Sequence, residues 1–557
     1  MRLTVRVVAA LLCVSLVGAC SKGDPNDPQT WVKQLSAEEK SAKLQALEKL
    51  ADLGDKSVAA AVVPLLQEGG EVKVQAVKTL KKLNDPSTVP ALIDAIDFGV
   101  GAGSDPAIKR ANEANKEIAE ALGKLGDKAA VEPLSKLAER SKDSYAKIAA
   151  INALGELGDP KAVPKLVEIA MDEGNEPYVN KKAVQALGNI GDPGAVPAIK
   201  KMLFHERKGI SFYAESSYAA YQIGKKAAEP LLAVLEGKDE ELNKWADEHD
   251  IYREALYAKA AQVLGDLNEE RAIPTLIKYL NYSRPGSDPD AIDPTVLIVR
   301  RQAADALSRM RVQSAVDALV RNLREEEGNL RATYADALVN IGDRKALAGL
   351  EKCALKGNVM DKSNHARKAC YVALSRLGDE KTLALWEKWQ KEEPALSSRA
   401  CMKEVEYDDA AGKEAAQKHC DELAGNVVKL LEENKARLVA YGACKADVAC
   451  WSGKLKDENP IVRERAAIEL GHIADPGAMP ALLEALKDKN LEARFAAIMA
   501  VDWIATQTRE GLAAAQKGLA AIDEQINAEK DKIQFVKINE DLKRLAVKIR
   551  RLERIGS

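Results

Sequence analysis

Apolar and polar positions alternate along most of this chain with a helical period. In residues 145–158, YAKIAAINALGELG, the apolar side chains Ile148, Ile151, Leu154 and Leu157 recur on one face of a helix. Ala149, Ala150 and Ala153 keep that helix narrow, so a neighbour can approach closely. Gly158 is placed to end it in a left-handed conformation. Asp159 can cap the next helix, and Pro160 is tolerated in its first turn. Val163, Leu166 and Ile169 then form a second apolar stripe. The pattern predicts two helices joined by a tight turn.

The same phrase returns from Leu50, Leu80, Leu122, Leu187, Val263, Leu338, Leu374 and Leu470, with degenerate copies near Ile223 and Met310. The acidic residue of its turn falls at 55, 85, 127, 159, 192, 269, 343, 379 and 475. Spacings near 30 residues mark a solenoid, because a lone helix pair cannot bury both of its apolar faces. The motif Leu-Gly-Asp-Pro-x-Ala-Val-Pro stands at 157–164 and, with Ile first, at 190–197. It resembles the HEAT repeat, in the short form found in phycobilin lyases. The resemblance covers roughly 31–390 and again 451–507. It implies an all-α fold, a right-handed α-α superhelix or HEAT/armadillo-like solenoid, and says little about activity. It also implies that the recurring cations Lys73, Lys147, Lys182, Arg301, Arg331, Arg367, Arg463 and Arg494 pair with turn aspartates of adjoining repeats. Solvated surface charge is the plainer alternative for them.

The pattern blurs over 391–450, read as a degenerate, cysteine-rich helical section within the array. After 507 the repeats stop. In 508–557, Ile538, Leu542, Leu545, Ile549 and Leu552 space as a coiled-coil seam. Leu512, Leu519, Ile526 and Ile533 recur every seven residues in another frame. The two frames do not join in register, so a stutter or a helical hairpin is expected there, as a long helix capping the array or meeting a partner.

The N-terminus changes the compartment. Arg2 and Arg6 precede the apolar run 7–19, which is too short to span a bilayer and suits a signal-peptide core. Gly18 and Ala19 stand before Cys20, a pattern that resembles a bacterial lipoprotein signal. The resemblance implies cleavage after 19, lipidation of Cys20 and a flexible tether over 20–30. Ser21 after the cysteine implies the outer membrane, facing the periplasm. Of eight cysteines, Cys13 would leave with the signal. Cys353, Cys370, Cys401, Cys420, Cys444 and Cys450 then remain, and their even number in an exported chain points to disulfides. Six cysteines allow 15 pairings; sequential pairing is the working expectation.

A net charge of −3 gives no global basic field for nucleic acid. No nucleophile, zinc or phosphate-loop motif is visible, so a non-catalytic protein without cofactor or metal is expected. A metal or redox site at the later cysteines is the alternative to disulfides, although no CxxC or zinc spacing is present, and His205 and His249 with Asp247 or Asp250 form a further conceivable metal set. Binding is expected where the turns between repeats lengthen, at 97–106, 171–180, 204–213, 236–252 and 281–294, which would line one edge as a ridge. Ten of the chain's 24 aromatic residues fall between 204 and 282. Phe204, Tyr213, Trp245, Tyr252 and Tyr282 lie in or beside those turns and are the candidate anchors. The expected function is a lipid-anchored scaffold that binds protein partners in the cell envelope. A lyase related to phycobilin lyases, or a protein that binds cell-wall glycan, are the alternatives.

Overall fold

The computed structural model describes residues 24–286, 293–323, 328–354 and 364–556. The signal segment and Cys20 lie outside the described residues. The described chain is almost wholly helical, with one two-residue β-hairpin, Glu206–Arg207 paired with Ile210–Ser211. It is an all-α superhelical array of helix pairs and divides into two compact units, Met1–Ile190 and Gly191–Ser557.

One repeat shows how the sequence writes the fold. Helix Ser144–Leu157 ends at Gly158, whose φ of 63° is left-handed. Asp159 then accepts a hydrogen bond from the Lys161 amide at 3.0 Å and starts a single 3₁₀ turn, Pro160–Ala162. Helix Val163–Met171 returns along the first. The same aspartate cap recurs at Asp55, Asp85, Asp127, Asp192, Asp343 and Asp475. Each cap satisfies a donor that would otherwise be orphaned at a helix start.

Stacking of successive repeats depends on the first glycine of the phrase. A Cβ on Gly155 would come within 3.0 Å of the Ala186 Cα in the next repeat, and one on Gly123 within 3.0 Å of the Ala153 Cα. In the second unit Gly265 faces Ala306 and Gly471 faces Ala500 in the same way. First helices of neighbouring repeats thus pack almost backbone to backbone, and Leu122, Leu154 and Leu187 are fully buried beside these contacts.

Lys73, Lys147, Lys182, Arg463 and Arg494 reach partners other than the turn aspartates, which cap the following turns. Three of them, Lys73, Lys147 and Arg463, reach to the turn that follows the second helix of their own repeat. Lys73 donates to the Ala95 carbonyl at 2.8 Å and Lys147 to Asn175 at 3.1 Å. Arg463 grips both carboxylate oxygens of Asp488, and Arg494 those of Glu529. Lys182 bonds to Gln185 on its own helix. Arg331 is buried and Arg301 exposed, while the Arg367 side chain lies outside the described residues.

The degenerate section is a long antiparallel hairpin of helices Glu380–Glu404 and Ala410–Cys444. The three disulfides join Cys353 to Cys370, Cys401 to Cys420 and Cys444 to Cys450, with Cα atoms 5.4–5.9 Å apart. The second bridge staples the tip of the long hairpin. At its base the Trp386 indole, fully buried, donates to the Leu431 carbonyl at 2.8 Å.

The C-terminal section is not one long helix. It breaks into helices Arg509–Lys517, Leu519–Glu529 and Val536–Gly556. The break removes Ile533 from any seam and leaves it 89% exposed. Ile538, Leu542, Leu545 and Ile549 are buried, but against this unit's own helices. That seam closes an intramolecular contact.

Candidate interaction surfaces

The three long turns of the second unit touch one another. The first holds the β-hairpin, and its flanks carry His205 and Phe212, whose rings stack 5.8 Å apart. The second contains an added helix, Glu240–Glu248, whose start is capped by Asp239. From it Trp245 packs between His205, at 6.2 Å, and His249, at 4.7 Å. The third begins with Tyr282 and Arg284. Both reach Glu254, at 3.0 and 2.9 Å, just after the second turn ends. Residues 204–284 therefore form one joined surface strip within this unit.

The five candidate anchors separate by burial. Tyr252 is the most open, 61% exposed, with the Arg284 guanidinium 5.3 Å from its ring. Trp245 and Tyr282 are half-buried. Phe204 is only 4% exposed and lies under the Lys259 ammonium, so it belongs to the core and cannot act as a surface anchor. It closes helix Val196–Phe204, and a residue at such a boundary reads equally as helix or turn in sequence. Tyr213 is largely enclosed, and its hydroxyl is buried without a hydrogen-bond partner. Burial and then the nearby Asp266 carboxylate push its phenol above the usual tyrosine range.

Glu254 organises the third turn. Burial alone would raise its carboxyl, but bonds from Arg284 and Tyr282 hold it below the usual carboxylate range. It stays charged at neutral pH and fixes the pair Arg284–Tyr252 as a flat cationic and aromatic platform. Among the described residues, no group of three His, Cys, Asp or Glu side chains could hold a metal ion. No helix among them is long and apolar enough to cross a membrane.

A second surface is turned inward. Helices Arg253–Asp266, Pro294–Arg309, Gly328–Ile341, Pro460–Ile473 and Leu491–Gln507 curve so tightly that the third approaches the last two. His472 bonds to the Val339 carbonyl at 3.0 Å, and the Arg311 guanidinium lies 4.8 Å from the Trp503 ring. Helix Val536–Gly556 lies in the inner space that this curvature leaves. Its Arg544 meets Asp266 at 2.8 Å and its Lys548 meets Asp502 at 2.7 Å. Its Arg551 donates to the Tyr221 carbonyl at 2.8 Å. The sequence marked this end as an apolar seam, but nothing in it named the groove.

Comparison with known families agrees with the geometry of the repeats. The model for HEAT repeats matches residues 107–177, 297–360 and 453–526, and that for the PBS lyase HEAT-like repeat matches 179–205 and 256–282. The chain carries HEAT repeats over these stretches. No curated protein matches its sequence. Among solved HEAT-type structures it is similar to importin beta, at 13% identity over 89% of this chain and 72% of that one, with a TM-score of 0.46. It is similar also to yeast importin-beta, Kap95p, at 13% identity over 93% and 73%, TM-score 0.40. A third is the CpcE–CpcF complex of phycocyanin lyase from Nostoc sp. PCC7120, at 21% identity over 57% of this chain and 97% of that one, TM-score 0.23. At these identities the likeness is one of fold. HEAT-repeat arrays present extended surfaces suited to protein partners.

Proposed function

We propose that this HEAT-repeat chain is a lipid-anchored, non-catalytic scaffold. It would sit on the outer membrane facing the periplasm and bind protein partners in the cell envelope. The observation that carries the reading is the joined strip 204–284, where three long turns gather aromatic and charged side chains on an otherwise regular array. An exposed aromatic beside a fixed guanidinium, with half-buried aromatics around it, suits a protein contact, since such groups bring large contact area at small entropic cost. The pattern around Cys20 supports the anchor, and three disulfides suit an oxidising compartment.

Cys20→Ser is expected to move the protein from the membrane to the soluble fraction of lysed cells, because acyl chains would supply its membrane affinity. Fractionation and immunoblotting check this. A variant that stays with membranes would remove the anchor from the account.

A further inference from the structure

The C-terminal helix, Val536–Gly556, sits against the inner helices of the second unit in the manner of a bound ligand. Its contact face is amphipathic. Leu542 and Ile549 are fully buried, Ile538 and Leu545 nearly so, and the cations Arg544, Lys548 and Arg551 stand beside them. The wall it meets carries three carboxylates, Asp266, Asp305 and Asp502, from three different inner helices, and one cation, Arg309, paired with Asp266. The cations engage two of these carboxylates and the Tyr221 carbonyl.

The fit is incomplete. A cavity of about 320 Å³ remains between the helix and the wall, lined among others by Asp305, Asn340 and Met499 from the wall and by Asp541 from the helix. Asp541 sets a carboxylate into this cavity, where the nearest cations are Arg309 of the wall and Arg544 and Lys537 of its own helix. Its Oδ2 is buried with no hydrogen-bond partner, as are Asn539 Oδ1 and Arg551 Nε on the same helix. Burial raises the carboxyls of both Asp305 and Asp541 above the usual range. Each unsatisfied buried group weakens the seat. In the link to the helix Ile533 and Val536 are 89% and 52% exposed, and Phe535 packs on the Arg494 guanidinium at 4.8 Å.

We propose that the acidic inner face of the second unit is a docking groove for a basic amphipathic helix of a partner protein, and that the C-terminal helix is its resident occupant, displaced when the partner binds. A partner helix with a neutral residue where Asp541 stands would bury no unpartnered carboxylate there and would seat better than the resident does. The proposal rests on reading the chain as an interaction protein, and it does not depend on the long turns within 204–284.

Hydrogen exchange on the full-length, oxidised protein tests it first. Amides of 538–552 should exchange at least about tenfold faster than those of the buried helix Leu491–Gln507, through an opening that leaves the array folded. Asp541→Asn should slow the exchange of 538–552 by about tenfold, because it removes a carboxylate that is buried without a partner. Next, a labelled peptide of sequence 536–556 carrying Asp541→Asn is titrated into the full chain. It should bind the wild type, bind the Asp541→Asn chain about tenfold more weakly, and lose binding when scrambled. Exchange of 538–552 only together with 491–507, or a peptide that does not bind or binds equally when scrambled, would overturn the proposal. Neither of those results bears on partner capture in cells, so the scaffold reading stands or falls separately.

Discussion

Exchanging Arg465 for methionine is expected to lower the stability of the second unit by about 3–5 kcal/mol. Arg465 is fully buried in helix Pro460–Ile473. Its guanidinium donates to the Ser375 carbonyl, to the Gly378 carbonyl at 2.9 Å and to Glu469 at 2.6 Å. The two carbonyls belong to the end of helix Asn364–Leu377, where backbone acceptors have no partner within the helix. One side chain therefore ties together two repeats about ninety residues apart in the chain, across the inserted hairpin. Methionine fills much of the volume but leaves the carbonyls and Glu469 without their donor. Arg344, 3.2 Å from Glu469, softens the loss without reaching the carbonyls. Urea unfolding followed through tryptophan fluorescence checks this, since Trp386, Trp389, Trp451 and Trp503 are all buried in this unit. A loss below about 1 kcal/mol, the value of an exposed pair, would show that the bridge carries little. The double variant with Glu469→Gln should recover part of the loss, because it removes the stranded charge.

The second large effect is on pH. His472 is enclosed between the Trp503 ring, 5.6 Å away and stacked, and the Val339 carbonyl. Burial, followed by the charges of Arg311, Arg465 and Arg344, lowers its imidazole to about 3. The folded protein therefore keeps His472 neutral, while the unfolded chain takes up a proton near the ordinary histidine value of about 6.5. Stability from this residue is fully present above pH 6.5 and is lost as pH falls from there toward 3. At pH 5 the loss amounts to about 2 kcal/mol. His472→Gln keeps a donor for Val339 and has no proton to gain. Its unfolding midpoint should change less between pH 6.5 and 5 than that of the wild type. Equal slopes in the two proteins would show that His472 does not drive the acid response.

The repeats were legible because each carries its own punctuation. A left-handed residue after the first helix and an aspartate cap on the next turn are local devices, so sequence displays them directly. Close stacking was also legible in part: the alanines promised narrow helices, although the decisive contact is made by the first glycine of the phrase, as at Gly155. The charge pairs were read less well. The turn aspartates already hold backbone amides, so Arg463 and Arg494 turn to Asp488 and Glu529 instead. Arg465 and Glu469 pass for surface charge when read alone. Set against the copy at 145–158, they occupy the positions of Ala149 and Ala153, both of which are buried. That internal comparison is the signal that would have exposed them.

The candidate site was legible only as a region. Lengthened turns and clustered aromatics picked out 204–284, and these turns do meet in space. Which ring faces solvent depends on packing between turns that are far apart in sequence. Phe204 goes inward beneath Lys259, while Tyr252 stays open beside Arg284. The destination of the C-terminal helix was hidden for a similar reason. Its seam is readable, but its partner is the curvature of the array, which no local stretch encodes.

The most direct test of the scaffold account is crosslinking in intact cells, followed by affinity capture from solubilised membranes and mass spectrometry. Wild type is compared with a variant lacking 236–252, the turn that carries Trp245 and Tyr252. The account predicts a protein partner that is captured by the wild type and lost with the turn. A bound tetrapyrrole or glycan with no protein partner, or protein partners indifferent to the deletion, would contradict it.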